Sequence, residues 1–486
     1  MREWTQEERY RVLQDPSEIC GLYDSIRKSD YRQTYHIQPI TGLSSDPNGF
    51  VYHKGVWHLF YQWCPWGAVH GLKYWYHTVS TDLVHWENHG VGIYPDSFYD
   101  NKGVHSGSGF STGDNLYLFY TGNHRDENWV RTPYTCVAEL KESGELIKAS
   151  EPLFGPHENY TEHQRDPKVV YDEDTQKYYI LLGAQSKDLK GKVLIYSSDS
   201  LLENWTFAGE LQVPGFEDLG GMWECPSIER ISGKDVLVFS PQYTTLPHRG
   251  KNTNHNVYLL GKMDYKNLTF TAEGTYHYLD YGFDFYAAQF AANVKDSDKA
   301  VLTAWIGLPD NHYPSEAEDW EGSLTLPREL RLVNNRLLQR PVPALASLRK
   351  KAVVLDKELP RVCEIEVSNH QGQDFELKLF TKKDGSGGFC ISYDSDTKVC
   401  TVDRSQMDQR FNTELGESLP VSLEDELTKL TLYIDKNSIE IFMNDGQATF
   451  TSHLYPTKQE AYYTADSCLN LQAWLLKTAV TDDFVV

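Results

Sequence analysis

The eight cysteines, at positions 20, 64, 136, 225, 363, 390, 400 and 468, contain no C-x-x-C pair. Neither a structural zinc site nor a small disulfide framework is expected. Positive charge is scarce: 46 Lys and Arg against 69 Asp and Glu leave a formal −23. Nucleic acid and anionic membrane surfaces are thereby excluded as expected partners, because no basic field exists to release phosphate counterions. No run approaches the roughly 18 apolar residues of a membrane span. The opening MREWTQEERYRVLQDPSEIC is charged throughout, without the apolar stretch of a secretory signal, so a reduced cytoplasmic protein is expected. The 17 histidines show no metal spacing. DSDT at 394–397 lacks the glycine and distal glutamate of a calcium loop. Ser106 and Ser108 have no partnered His and Asp to make a nucleophilic serine. No metal and no cofactor is expected.

Aromatics are plentiful, with 12 Trp, 31 Tyr and 20 Phe. They serve most often to fill the space between β-sheets, and less often as platforms for sugar rings. Five segments repeat a polar turn followed by a strong strand: DPNGFVYHKGVWHLFYQ, SGSGFSTGDNLYLFYTG, DPKVVYDEDTQKYYILLGAQ, ECPSIERISGKDVLVFSPQ and DFYAAQFAANVKDSDKAVLTAWIG. They begin at Asp46, Ser106, Asp166, Glu224 and Asp284, spaced by 60, 60, 58 and 60 residues. Self-similarity at a fixed period in short strands predicts an all-β radial array, here a five-bladed propeller over residues 32–338. Residues 1–31 read as a charged helical extension packed on the outside, and 339–355 as a linker with a short helix or connector. Alternating segments in 356–486, with the NDG turn at 444–446, predict an antiparallel β-sandwich. No cluster of buried carboxylates is apparent in that last domain.

In a propeller the first strand of each blade lines the central channel, so equivalent positions converge. Four of the five are acidic here: Asp46, Asp166, Glu224 and Asp284. Paired carboxylates in an aromatic pocket are the equipment of glycoside cleavage, one protonating the leaving oxygen while the other attacks. Glu224, between Trp223 and Cys225, suits the acid because an apolar setting favours the protonated form. Asp46, beside the amides of an Asp-Pro-Asn-Gly turn, suits the ionised nucleophile. Asp166 is expected to be pinned and charged by its neighbour Arg165, which fits gripping hydroxyls.

With these residues in hand, the chain resembles glycoside hydrolase family 32, the β-fructofuranosidases. The matching segments are DPNG at 46–49, HLFYQ at 58–62, SGS at 106–108, RDPKV at 165–169, WECPS at 223–227, DFYAAQ at 284–289 and GSLTLPREL at 322–330. VDRS at 402–405 and IEIFMNDG at 439–446 match the family's sandwich. The resemblance implies a retaining double displacement, with Asp46 as nucleophile, Glu224 as acid/base and Asp166 on the fructosyl hydroxyls. It also implies Ser45, Gln62, Trp75, His105, Ser106, Arg165, Asp284 and Tyr286 as substrate-binding positions. YRQTYHIQPITGL, CPWGAVHGLKYWYHTVSTDLVHW and GNHRDENWVRTPY resemble the branch that hydrolyses sucrose 6-phosphate. That branch implies a phosphate site, for which His70, Lys73, His124, Arg125 and Arg131 are the candidate donors.

Two positions depart from the family pattern: Ser45 stands where Asn is usual, and Ser227 where Asp is common. Altered substrate choice is expected if either touches the sugar. Two alternatives remain beside the leading reading: a fructan or fructooligosaccharide exohydrolase or fructosyltransferase, and a non-catalytic sugar-binding propeller. The expected partner is a small-molecule sugar, with the protein a monomer or homodimer.

Overall fold

A computed structural model describes residues 2–356 and 358–486. Five separate antiparallel sheets occupy residues 42–93, 104–148, 160–210, 222–278 and 286–341, here called blades I to V. Their inner strands are Gly42–His53, Val104–Thr112, Tyr160–Asp172, Met222–Ile231 and Tyr286–Phe290. Each packs against the next, and the fifth returns to the first, where Tyr52 N and Ala292 N donate to Ala292 O and Phe50 O. Blade I is completed from the far end of the propeller chain by Trp320–Glu321, which runs parallel to Gly42–Leu43.

The strand next to the inner one reads as a near-continuous apolar run because it is covered on both faces. In blade II, Leu118 and Tyr120 pack with Phe60 and Trp75 of blade I. The alternate residues, Tyr117 and Phe119, pack with Ile180 and Leu182 of blade III. A period of two therefore divides one strand between two inter-blade cores, and the same pattern joins III to IV and IV to V.

The segment 339–355 is not a free linker. It finishes the last strand of blade V, makes a 3-10 turn at Pro343–Leu348, and enters strand Arg349–Val353, which pairs with Asn470–Leu476. That strand belongs to a six-stranded sheet facing a five-stranded one around an aliphatic core. The sandwich does carry buried carboxylates, and they clamp it to the propeller. Arg328, fully buried, donates to Asp280 (2.9 Å) and Glu440 (2.7 Å). His36 bridges Asp435 (3.0 Å) and Glu440 (3.1 Å).

The N-terminal extension holds two helices, Gln6–Arg9 and Ser17–Ile26. Rather than lying on the outside alone, it braces two loops at the propeller mouth. Arg9 Nε donates to His70 O (2.6 Å) and Arg9 O accepts from Leu72 N (2.8 Å). Tyr10 packs edge-on to Trp129 at 5.0 Å. Among the described residues no helix is long and apolar enough to cross a membrane.

Candidate active site

All five inner strands break register at corresponding places. Ser45–Asp46 sit opposite Gln62, Ser106 is inserted between paired residues, and Asp166–Pro167, Cys225–Pro226 and Ala287–Ala288 each oppose one residue. Asp166, Cys225 and Ala287 hold left-handed backbone there, with φ of 66°, 47° and 53°. Such bulges bend a strand and re-aim its side chains, so they present one ring of residues to the channel.

Within that ring each carboxylate accepts from the bulge residue of the following blade. Ser106 Oγ donates to Asp46 Oδ2, and Cys225 donates to Asp166 Oδ2 through its N–H (2.9 Å) and its thiol (3.6 Å). A second ring lies one residue earlier in blades III to V: Arg165, Glu224 and Tyr286. Arg165 Nε and Nη2 reach Glu224 Oε1 at 2.8 and 2.6 Å, and the Tyr286 hydroxyl donates to Glu224 Oε2 at 2.6 Å. Glu224 is thus equivalent to Arg165, not to Asp166, and its setting is polar rather than apolar.

Asp46 is held by side chains, not by the amides of its turn. Gln62 Nε2 donates to Asp46 Oδ2 (3.0 Å) and to Ser106, while Gln62 Oε1 accepts from Lys73 Nζ and from Ser45 Oγ (3.3 Å). Both donors to Asp46 use Oδ2, which leaves Oδ1 without a protein donor among the described residues. Burial pushes the Asp46 carboxyl up from the usual aspartate range. The Lys73 charge and the Ser106 bond pull it back, and Glu224 adds to the rise. Asp166 is also pushed up, first by burial and then by Glu224 and Asp46, against the pull of Arg165. Arg165 bonds Glu224, His163 and Gln242 but, among the described residues, not Asp166, on which it acts through charge. Thr121 Oγ1 accepts from Asp166 N at 2.9 Å.

Several expected positions lie elsewhere. Asp284 is three residues ahead of the blade V bulge and fully buried against the sandwich. It accepts from the Tyr313 hydroxyl (2.8 Å), Arg404 Nη1 (3.1 Å) and His453 N (2.9 Å). Trp75 is a core residue between blades I and II whose Nε1 donates to His105 O (3.1 Å). Ser45 is fully buried and, among the described residues, its side chain meets the site only through Gln62. Ser227, also buried, accepts from Phe290 N (3.3 Å) and stitches blade IV to blade V. Lys73 is half-buried, donates to Gln62 and acts by charge on Asp46. His70 packs edge-on to Trp305, and burial, followed by Lys73 and Arg9, pushes it down to about 3, so it brings no charge at neutral pH. His105 is pushed well down by burial and by the positive charges of Lys73, Arg131 and Arg165.

Arg125 and Arg131 face each other directly across a hairpin in blade II. Neither has a carboxylate partner among the described residues. Arg131 Nε donates to Asn123 Oδ1 (2.8 Å) and Arg125 Nη1 to Trp129 O (2.7 Å), while Arg125 Nε is buried without a partner. Burial, Arg165 and Arg125 push the Arg131 guanidinium down to about 10. Like charges directly opposite each other destabilise a strand pair. Lys102, whose ammonium lies 5.7 Å from the Trp129 ring centroid, adds a third cation. Sequence reasoning passed over Lys102, Thr121 and Trp129. The two arginines flanking DENW were the available signal for this corner.

The family models for the glycosyl hydrolases family 32 N-terminal and C-terminal domains match residues 36–341 and 344–474. A sucrose-6-phosphate hydrolase of Staphylococcus xylosus is 38% identical over 476 residues, 94% of each chain. One from Bacillus subtilis (strain 168) is 34% identical, covering 93% of this chain and 96% of that one. The solved sucrose-6-phosphate hydrolase from Lactobacillus gasseri superimposes with a TM-score of 0.92 at 34% identity, over 98% of this chain and 100% of that one. Fructan 1-exohydrolase IIa from Cichorium intybus shares the fold, with a TM-score of 0.77 at 22% identity over 93% and 99% of the two chains. Matched across propeller and sandwich alike, the chain belongs to glycosyl hydrolase family 32 and is a glycoside-cleaving enzyme of the β-fructofuranosidase type.

Proposed function

We propose that the enzyme cleaves the fructosyl bond of sucrose 6-phosphate by a retaining double displacement, releasing fructose and glucose 6-phosphate. Asp46 Oδ1, free of donors, attacks the anomeric carbon of the fructosyl ring. Glu224 gives its proton to the departing glycosidic oxygen, so that bond breaks as the Asp46 ester forms. Glu224, now a carboxylate, takes a proton from water, whose oxygen attacks the same carbon and returns Asp46. Asp166 holds fructosyl hydroxyls with Oδ1, the oxygen that Cys225 leaves unoccupied. Lys73 supplies a positive charge beside a site that otherwise gathers three carboxylates.

The observation that carries the choice of substrate is the facing pair Arg125 and Arg131, without carboxylate partners in a chain of net charge −23. A dianionic phosphate would relieve their mutual repulsion and accept from planar guanidinium forks. The names of the relatives support the same substrate. Plain sucrose is the lesser substrate on this reading. The eight unpaired cysteines support a reducing, cytoplasmic setting.

Kinetics on both sugars test it. Arg131→Ala lowers kcat/KM for sucrose 6-phosphate by about a hundredfold, from the loss of charge-assisted hydrogen bonds, and changes that for sucrose by less than about threefold. An equal fall on both sugars would remove the phosphate from the reading.

A further inference from the structure

Arg9 and Tyr10, adjacent in the N-terminal extension, grip two different loops, one leading to Lys73 and one joining Arg125 to Arg131. On the first loop, a Cβ on Gly71 would lie 2.1 Å from the Arg9 carbonyl oxygen, and one on Gly67 would lie 2.5 Å from the Trp4 ring. Glycine at both positions therefore lets the extension lie flat against that loop. Two hydrogen bonds to Arg9, one from Leu72 N and one given to His70 O, lock it there, and Tyr10 is placed by its neighbour.

Tyr10 reaches the second loop. Its ring stands 5.0 Å from that of Trp129 and at 84° to it, an edge-to-face arrangement that aromatic pairs favour. The loop is built on Asp126, whose Oδ1 accepts from Asn128 N (2.9 Å) and Val130 N (2.8 Å), so that oxygen is engaged by backbone. Trp129 has left-handed backbone, with φ of 64°, which disfavours any residue with a Cβ. In return its indole offers a π-surface to two cations: the Arg125 guanidinium carbon lies 5.1 Å and the Lys102 ammonium 5.7 Å from the ring centroid. Its carbonyl oxygen also accepts from Arg125 Nη1. Trp129 is only half-buried, and among the described residues Tyr10 is the one aromatic ring packed on it.

We propose that Tyr10 is a positioning residue for phosphate recognition. By fixing the Trp129 indole it keeps Arg125 and Lys102 in place for the phosphate, so the extension sets the preference for sucrose 6-phosphate over sucrose. The proposal rests on the arginine corner as the phosphate site. Tyr10 acts through Trp129 and needs no contact with the sugar.

The test measures kcat and KM for both sugars, with thermal midpoints, in wild type, Tyr10→Ala, Tyr10→Phe and Tyr23→Ala. Tyr23 anchors the second helix through Asp482 O and Phe484, so its variant loosens the extension away from Trp129. Tyr10→Ala should raise KM for sucrose 6-phosphate about tenfold, with kcat and the KM for sucrose unchanged within about twofold. Tyr10→Phe keeps the ring and should keep the wild-type values. Tyr23→Ala should lower the thermal midpoint and leave the ratio of the two KM values alone. Equal losses on both sugars in Tyr10→Ala, no rescue by phenylalanine, or the same ratio change in Tyr23→Ala would overturn the proposal. If Arg131→Ala selectively loses sucrose 6-phosphate while Tyr10→Ala does not, the role of Tyr10 fails alone; if Arg131→Ala falls equally on both sugars, the phosphate reading fails and this proposal with it.

Discussion

Gln62 takes its orientation from four neighbours: Lys73 and Ser45 on its oxygen, Asp46 and Ser106 on its nitrogen. Lys73 is therefore both a charge acting on Asp46 and the residue that turns the Gln62 amide toward it. Replacing it by methionine keeps the length and removes both effects. Without that cation the Asp46 carboxyl rises further, because burial and Glu224 then act with less opposition. The proton stays on Asp46 to higher pH, so the acid limb of the pH–kcat/KM profile moves up. We expect kcat at mildly acid pH to fall about tenfold with KM little changed; an unmoved acid limb would show Lys73 to be a spectator. Neither effect was readable from the sequence, where Lys73 was one basic residue among several suited to a phosphate.

At the scale of the strand, the bulge decides what enters the channel. The repeat period located all five inner strands, because each is announced by a turn and an aromatic-rich partner. It could not locate the bulges within them. A single inserted residue exchanges the two faces of a strand, and the spacing of 60, 60, 58 and 60 residues hides such slips. Asp46 and Asp166 were read in the correct ring, Glu224 one residue away from its equivalents, and Asp284 three. Ser227 drew notice because it departs from the family pattern, and its hydroxyl accepts from Phe290 N between blades. Ser227→Ala leaves that buried N–H without an acceptor, at a cost of about 1–3 kcal/mol. A thermal midpoint lowered by a few degrees is expected, with the sucrose 6-phosphate to sucrose ratio of kcat/KM unchanged. A changed ratio at an unchanged midpoint would return Ser227 to the sugar.

The motifs of the two domains turn out to be halves of the same contacts. Arg404 of VDRS meets Asp284 of DFYAAQ, and Glu440 of IEIFMNDG meets Arg328 of LPREL. The sequence displayed these motifs but could not pair residues more than 100 positions apart. His36 closes the same seam. Burial alone would lower its pKa, yet hydrogen bonds to Asp435 and Glu440 raise it to about 9, against about 6.5 in an unfolded chain. A raised folded pKa gives stability that is complete below about pH 6.5 and lost as pH rises through about 9, on the order of 3 kcal/mol. The thermal midpoint of wild type should therefore fall between about pH 7 and pH 9.5. In His36→Asn it should start lower and fall less over that interval, and equal slopes would deny the linkage.

On the proposed mechanism the whole assembly sets Asp46 and Glu224 on either side of one glycosidic bond. The stereochemical course of fructose release, followed by NMR in the first minutes of turnover, tests that directly. Attack by Asp46 and then by water inverts the anomeric carbon twice, so β-fructofuranose must appear first and equilibrate afterwards. First appearance of the α anomer would mean that water attacks in a single step, and Asp46 would not be the nucleophile.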